Sequence, residues 1–133
     1  MINISIEARM TSSRLPGKTL KIINGKPALE IMVSRVKKAK LANNIIIATT
    51  TNIKDNEIEN WCKINDLNCF RGSENNVYER VLNAHQRFKT DIIVELTGDC
   101  ILITPELIDH AIQIFLDNDY DYVSVSDPLG TVS

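Results

Sequence analysis

Ile2-Asn3-Ile4-Ser5-Ile6-Glu7, followed at once by Ala8-Arg9-Met10-Thr11-Ser12-Ser13-Arg14-Leu15-Pro16-Gly17-Lys18, decides how the chain is read. The first six residues put branched side chains at alternate positions, the period of a strand. The next eleven bring three cations, three hydroxyls and a Pro-Gly turn into one loop at that strand's end. Such a loop offers backbone N–H groups, hydroxyls and fixed positive charge to a polyphosphate. Gly17 lets the backbone approach a ligand closely, and Pro16 pre-sets the turn that aims Lys18. A plain connection with solvated charges has some of these features; charge, turn chemistry and position together favour the phosphate site.

Bulk properties set the frame. The 133 residues suffice for a single domain over 1–133 with a real core. Hydrophobic content of 44% and charged content of 24% are globular values, with no low-complexity run. A formal net charge of −2 argues against a general nucleic-acid or membrane-surface binder, so any basic site is local. Cys62, Cys69 and Cys100 are odd in number and lack a Cys-x-x-Cys spacing, so no disulfide framework or zinc site is indicated. No signal-peptide pattern and no membrane-length apolar run stands in the sequence, which gives a soluble, cytoplasmic expectation.

Beyond the first loop, strand and helix signals alternate. Thr19–Ile23 reads as a short extension before the turn Asn24-Gly25-Lys26. Pro27 suits a first helical position, with Ala28, Leu29, Ile31, Met32, Val33 and Val36 as the apolar face and Lys37, Lys38 and Lys40 closing the helix. Ile45–Ala48 reads as a strand buried on both faces, and a helix from about Asp55 to Ile64 turns Ile58, Trp61 and Cys62 inward. Asn68–Arg71 is a third strand. Asn76, with Glu79 in capping-box position, opens a helix to about Phe88. Asp91–Leu96 is a fourth strand, Thr104-Pro105-Glu106 starts a helix to about Asp117, and Tyr120–Val125 is a fifth strand. This alternation predicts an α/β fold, a three-layer sandwich with a mainly parallel sheet. Ligands of such sheets bind at the strands' carboxyl ends, here followed by residues 9–18, 49–52, 71–74 and 97–100.

Within those loops Asp99 follows Gly98 at a strand end. Beside a triphosphate, one carboxylate is a natural Mg²⁺ ligand, because Mg²⁺ takes few protein carboxylates and completes its shell with phosphate oxygens and water. An Asp at that place also caps turns; opposite Arg9, Arg14 and Lys18 the metal reading leads. Arg71-Gly72-Ser73-Glu74 is evenly divided between base or ribose contact and a plain strand-to-helix turn. Glu79 and Arg80 are assigned to capping and surface pairing, and His85 and His110 to surface or core-edge positions. Cys100 reads as a bystander thiol, and Trp61, Tyr120 and Tyr122 as core or sheet packing.

The chain resembles the cytidylyltransferases that activate acidic sugars, most closely the spore coat polysaccharide type, similar to the acylneuraminate and 3-deoxy-octulosonate enzymes. The residues that carry the likeness are 8–18, Arg71-Gly72-Ser73-Glu74, Leu96-Thr97-Gly98-Asp99-Cys100 and Asp119-Tyr120-Asp121-Tyr122-Val123-Ser124. The resemblance implies a Rossmann-like fold of the nucleotide-diphospho-sugar transferase type and a reaction of CTP with a sugar acid giving a CMP-sugar and pyrophosphate. It implies catalytic roles for Arg9, Lys18 and Asp99, with Asp99 holding Mg²⁺. It implies nucleotide contacts from Ala8, Arg9, Ser12, Ser13, Arg14, Gly17, Lys18, Arg71 and Ser73. It covers about the amino-terminal half of such a protein, so acceptor-sugar contacts, a second metal carboxylate and a homodimer surface belong to the other half. Ile101 stands where relatives commonly carry proline, and the tail 127–133 departs from their pattern. Two other readings share the first loop: a nucleotide-binding module without turnover, and a nucleotide-sugar glycosyltransferase. Against the latter, Asp119-Tyr120-Asp121 precedes an expected strand instead of following one.

Overall fold

The strand Ile2–Glu7 (β1) lies at the centre of the molecule, a computed structural model that describes residues 1–125. After it come a hairpin of Ile22–Ile23 (β2) and Lys26–Pro27 (β3), helix Ala28–Val36 (α1) and strand Asn44–Thr50 (β4). Helix Asn56–Ile64 (α2), strand Asn68–Gly72 (β5), helix Val77–Arg87 (α3), strand Ile92–Thr97 (β6) and helix Pro105–Asp117 (α4) complete the series. The main sheet runs β5-β4-β1-β6, and every pair in it is parallel. All four carboxyl ends therefore meet at one edge. No described helix is long and apolar enough to cross a membrane.

Period-two alternation sorts the residues of β1 between two unlike faces. Ile4 and Ile6 point into the main core with Leu29, Met32, Val33 and Val36 of α1, Ile47 of β4, Ile58 and Cys62 of α2, and Ile108 and Ile112 of α4. Asn3 and Ser5 face the other side, where α3 covers the sheet and a smaller cluster joins Ile46, Ala48 and Ala84 with Phe70 and Phe88. Asn3 is fully buried and satisfied there: its Nδ2 donates to Thr90 Oγ1 at 2.7 Å, and its Oδ1 accepts from Asn44 Nδ2 at 3.0 Å. Helices thus lie on both faces, as the alternation predicts. Asn76 caps α3 by accepting from Glu79 N at 3.1 Å, and Thr104 caps α4 by accepting from Leu107 N at 3.4 Å.

Five expectations need correction. Tyr120–Val125 forms no strand; Tyr120 and Tyr122 are 52% and 79% exposed, so they pack neither core nor sheet. A strand exists only where its backbone groups find a ladder partner, and no described segment runs beside this one. Thr19–Ile23 divides into a 3₁₀ turn at Lys18–Leu20 and the strand β2, which Asn24 (φ 50°) and Gly25 (φ 84°) fold back onto β3. Pro27 becomes the last residue of β3 and the cap of α1 because its backbone is extended (ψ 142°). Arg80 is 2% exposed inside the α3 face, since α3 lies directly on the sheet and leaves that position no route to solvent. His85 is likewise buried, at 2%, whereas His110 is exposed. The departing tail 127–133 lies outside the described residues.

Gly98 marks where β6 leaves the sheet. A Cβ there would stand 2.3 Å from the Glu7 backbone oxygen, so the loop carrying Asp99 can press against the end of β1 only as glycine. Gly98→Ala is expected to cost about 2–4 kcal/mol of stability, because backbone on both sides must shift. Urea denaturation of the two proteins checks this, and unchanged midpoints would contradict the contact.

Candidate active site

The loop after β1 is fastened at several points. Ala8 N donates to Ala48 O of β4 at 3.2 Å, which carries the pairing one residue past the strand. Met10 N donates to Asp55 Oδ1 at 2.7 Å, and Thr19 Oγ1 donates to Arg9 O at 2.9 Å. Gly17, at φ 75°, donates its N–H to Met10 O at 2.9 Å and so closes the loop on itself. That positive φ is the conformation glycine adopts without cost. Ser12 Oγ accepts from Leu15 N at 3.5 Å. Arg9, Ser13 and Arg14 are exposed on this frame, and neither Arg9 nor Arg14 is ion-paired among the described residues.

Lys18 reaches across the sheet edge. Its Nζ lies 2.6 Å from Asp99 Oδ1, joining the loop after β1 to the loop after β6. Both side chains are open to solvent, at 40% and 69% exposure, so the pair is a loose electrostatic contact and not a structural pin. The sequence placed these two residues on facing loops, and the fold brings them together.

Asp55, which the sequence marks only as a helix start, joins the first loop to the end of β4. It is fully buried; Oδ2 accepts from Thr50 Oγ1 at the end of β4, while Oδ1 holds Met10 N. One carboxylate thus ties the first loop to the end of the neighbouring strand. The signal that locates it is Asn52, whose side chain accepts from Lys54 N at 2.9 Å and starts the short turn Ile53–Asp55. Asn52 Nδ2 also donates to Glu74 Oε1 at 3.0 Å, linking the loops after β4 and β5.

Arg71 sits at the same edge, but its guanidinium is occupied. Nε donates to Thr50 O at 2.8 Å, Nη2 to Asn52 O at 2.7 Å, and Nη1 to Glu59 Oε2 at 2.9 Å and Asn56 Oδ1 at 2.5 Å. This bonding holds the Glu59 carboxyl below its ordinary range. Ser73 fixes its own turn: Oγ accepts from Asn76 N at 3.1 Å, and its carbonyl accepts from Arg80 Nη1 at 2.8 Å. Gly72 allows Arg80 underneath, since a Cβ there would meet Arg80 Cγ at 3.0 Å.

Glu7, one residue before the loop, lies on the polar face. Burial, then a hydrogen bond and like charge from Glu95 on β6, push its carboxyl from 4.5 up to about 8, against the pull of Arg80 and Arg9. Among the described residues, no three or more acids, histidines or cysteines converge as a metal cluster. Cys100 has no recognisable base; its Sγ lies 3.4 Å from Thr97 Oγ1.

A parallel sheet whose four loops converge on exposed cations and one carboxylate is the arrangement of a nucleotide-handling α/β protein. The chain belongs to the cytidylyltransferase family, whose model matches residues 4–132. It is 38% identical over 130 residues to the spore coat polysaccharide biosynthesis protein SpsF of Bacillus subtilis, covering 94% of this chain and 54% of that protein. It is 36% identical over 119 residues to a 3-deoxy-manno-octulosonate cytidylyltransferase of Pelobacter propionicus, covering 88% of this chain and 45% of that one. A solved cytidylyltransferase from Leptospira borgpetersenii superposes with a TM-score of 0.84 at 39% identity, over 89% of this chain and 50% of that one. The chain spans about half the length of the curated relatives it matches.

The raised Glu7 carboxyl gives a signed prediction. Between 4.5 and about 8 the folded state holds a proton that the unfolded chain has already released, so Glu7 makes stability fall as pH rises through that window. Glu7→Gln should flatten the decline and raise the midpoint above wild type near the upper end. Thermal unfolding across the window checks it; parallel curves for the two proteins would remove Glu7 as the cause.

Proposed function

We propose that the chain is the nucleotide-binding part of a cytidylyltransferase that couples CTP to an acidic sugar in surface-polysaccharide biosynthesis, in the cytoplasm. The observation that carries this reading is the Lys18–Asp99 contact across the sheet edge, which sets a cation beside a carboxylate at the mouth of an anchored, cationic loop. In this reaction a sugar hydroxyl oxygen bonds to the α-phosphorus of CTP. The bond from that phosphorus to its bridging oxygen breaks, pyrophosphate leaves with the electron pair, and the hydroxyl proton is lost. Charge moves onto phosphate oxygens, so the protein's task is to position them and to set positive charge where negative charge grows.

Arg9 and Lys18 are the residues we assign to that charge, with Ala8, Ser12, Ser13, Arg14 and Gly17 forming the bed for the triphosphate. Backbone N–H groups of the loop contribute only while the loop keeps its shape, which makes Asp55 a positioning residue for the site. Arg71 and Ser73 are assigned to the cytidine end. With the Arg71 guanidinium bonded to Thr50, Asn52, Asn56 and Glu59, its part there is to hold the loop walls. The donor set fits Mg²⁺: one exposed carboxylate, Asp99, leaves most of the coordination shell to phosphate oxygens and water. When bound, the ion would neutralise phosphate charge. Likeness to a 3-deoxy-manno-octulosonate cytidylyltransferase supports the acid-sugar class, and likeness to a spore coat polysaccharide biosynthesis protein supports the polysaccharide role.

Thermal unfolding with Mg²⁺ and each of CTP, UTP, ATP and GTP tests this reading. CTP at about 100 times its dissociation constant should stabilise the fold by about 2.7 kcal/mol, and more than the other nucleotides do. An equal response to all four would remove cytosine selectivity, and no response would remove the site from this chain. Lys18→Ala should weaken CTP binding about tenfold or more with the unliganded midpoint unchanged. Asp99→Asn should abolish the added stabilisation that Mg²⁺ gives with CTP; an undiminished effect would put the ion elsewhere.

A further inference from the structure

Between β6 and α4, residues 98–104 bring Asp99 to the sheet edge and then turn into a helix. Two backbone bonds of 3.1 Å, Cys100 N to Thr97 O and Ile103 N to Cys100 O, fold this loop into successive turns. Ile101 and Ile103 pack against the main core, whereas Leu102 is exposed. The first end of the loop is pressed by Gly98 against Glu7 O. The second end is held from α1: Arg35 Nε donates to Ile103 O at 2.9 Å, and Arg35 Nη2 donates to Leu102 O at 3.2 Å. Arg35 is half-buried on the last turn of α1, and no carboxylate among the described residues pairs with it. Its charge is directed at two neutral backbone oxygens. A planar guanidinium can hold two carbonyls at a fixed separation, which a point-like ammonium cannot.

The other end of α1 holds the Lys18 turn. Ala28 N, at the first residue of the helix, donates to Lys21 O at 2.9 Å, and Lys21 N donates to Lys18 O at 3.2 Å. Leu20 of the same turn packs against the core that α1 helps to form. One helix is therefore bonded to both sides of the Lys18–Asp99 contact, through its backbone at the first turn and through Arg35 at the last. The contact itself is open to solvent on both sides and is too loose to set its own distance. We propose that Arg35 is a positioning residue that sets Asp99 against Lys18 by fastening the loop after β6 to α1. This inference rests on the reading of Asp99 as the Mg²⁺ ligand and of Lys18 as a phosphate contact. The hydrogen-bond partners of Arg35 are backbone atoms of the loop, so its effect on ion binding passes through the position of Asp99. Groups that orient a metal ligand from behind typically change metal affinity about 10–100-fold.

Titration calorimetry of the full chain with CTP, once in chelator and once across a Mg²⁺ series, tests the proposal. Arg35→Met keeps the apolar stem and removes the donors. It should leave metal-free CTP affinity at the wild-type value, because the loop after β1 is anchored separately, and should weaken the Mg²⁺ response about tenfold or more. Arg35→Lys keeps the charge but cannot hold both carbonyls, so it should recover only part of that loss. Amide hydrogen exchange without ligand should quicken at Cys100 and Ile103 in Arg35→Met and stay unchanged at Met10 and Gly17. If Arg35→Met does not unfold cooperatively, Arg35→Lys bears the same comparison of metal-free and Mg²⁺-supported binding. A wild type with no Mg²⁺ response overturns the nucleotide reading and this proposal with it. A wild-type response that Arg35→Met retains in full overturns the proposal alone. So does full recovery by Arg35→Lys, which would assign the effect to charge, or an equal loss of affinity with and without Mg²⁺, which would make Arg35 a fold-stabilising residue only.

Discussion

A carboxylate with no access to water, Asp55, determines where the first loop goes. A long polar segment leaving a strand has many conformations open to it, and fixing each residue costs free energy. Asp55 meets part of that cost with a charge-assisted hydrogen bond to Met10 N, while its other oxygen is held by Thr50 at the end of β4. The loop's course is therefore referred to the sheet and not to its own exposed side chains. Arg9 and Arg14 stand exposed and without an ion-pair partner among the described residues because the backbone beneath them is anchored by other groups. The fold separates the residues that build the site from those that present charge in it.

The same separation divides the sheet's two faces. The α1, α2 and α4 side is apolar and closely packed, whereas the α3 side carries Asn3, Ser5, Glu7, Glu95, Arg80 and His85. Polar groups in that position must find partners, and several do: Asn3 with Thr90 and Asn44, His85 Nδ1 with Thr90 Oγ1 at 3.0 Å, Arg80 Nη1 with Ser73. Ser5 Oγ, Arg80 Nε and His85 Nε2 have none in the described structure. This face carries the raised Glu7 carboxyl, and Glu7 immediately precedes the loop that begins with Ala8 and Arg9.

Regular alternation in the sequence made the parallel sheet and its loop edge legible, because strand and helix patterns follow one another in turn from Ala28 to Asp117. That Asp99 stands opposite the loop bearing Arg9, Arg14 and Lys18 was legible too, since both loops leave carboxyl ends of the sheet; the direct contact of Lys18 with Asp99 was not. Asp55 was not, because an acid at a helix start looks the same whether it caps the helix or reaches back to another loop. Arg80 misled for a related reason: arginine in a helix reads as surface, and only the close seating of α3 over Gly72 shows otherwise. Tyr120–Val125 shows the opposite failure. Its local pattern is a strand's, but a strand is a property of two segments and cannot be read from one.

The order β5-β4-β1-β6 makes β6 a boundary strand of the described sheet, with Ile93, Glu95 and Thr97 all exposed along one face. Among the described residues no strand pairs with the outer side of β6, and backbone groups so placed are a template for an extended chain, with the half-exposed Ile93 beside them. Glu95 is the charged residue midway along this stretch, a device that proteins use against edge-to-edge stacking. Glu95 thus acts in two directions: it raises the cost of charging Glu7 across the β1–β6 pair, and it sets a charge on the exposed face of the boundary strand.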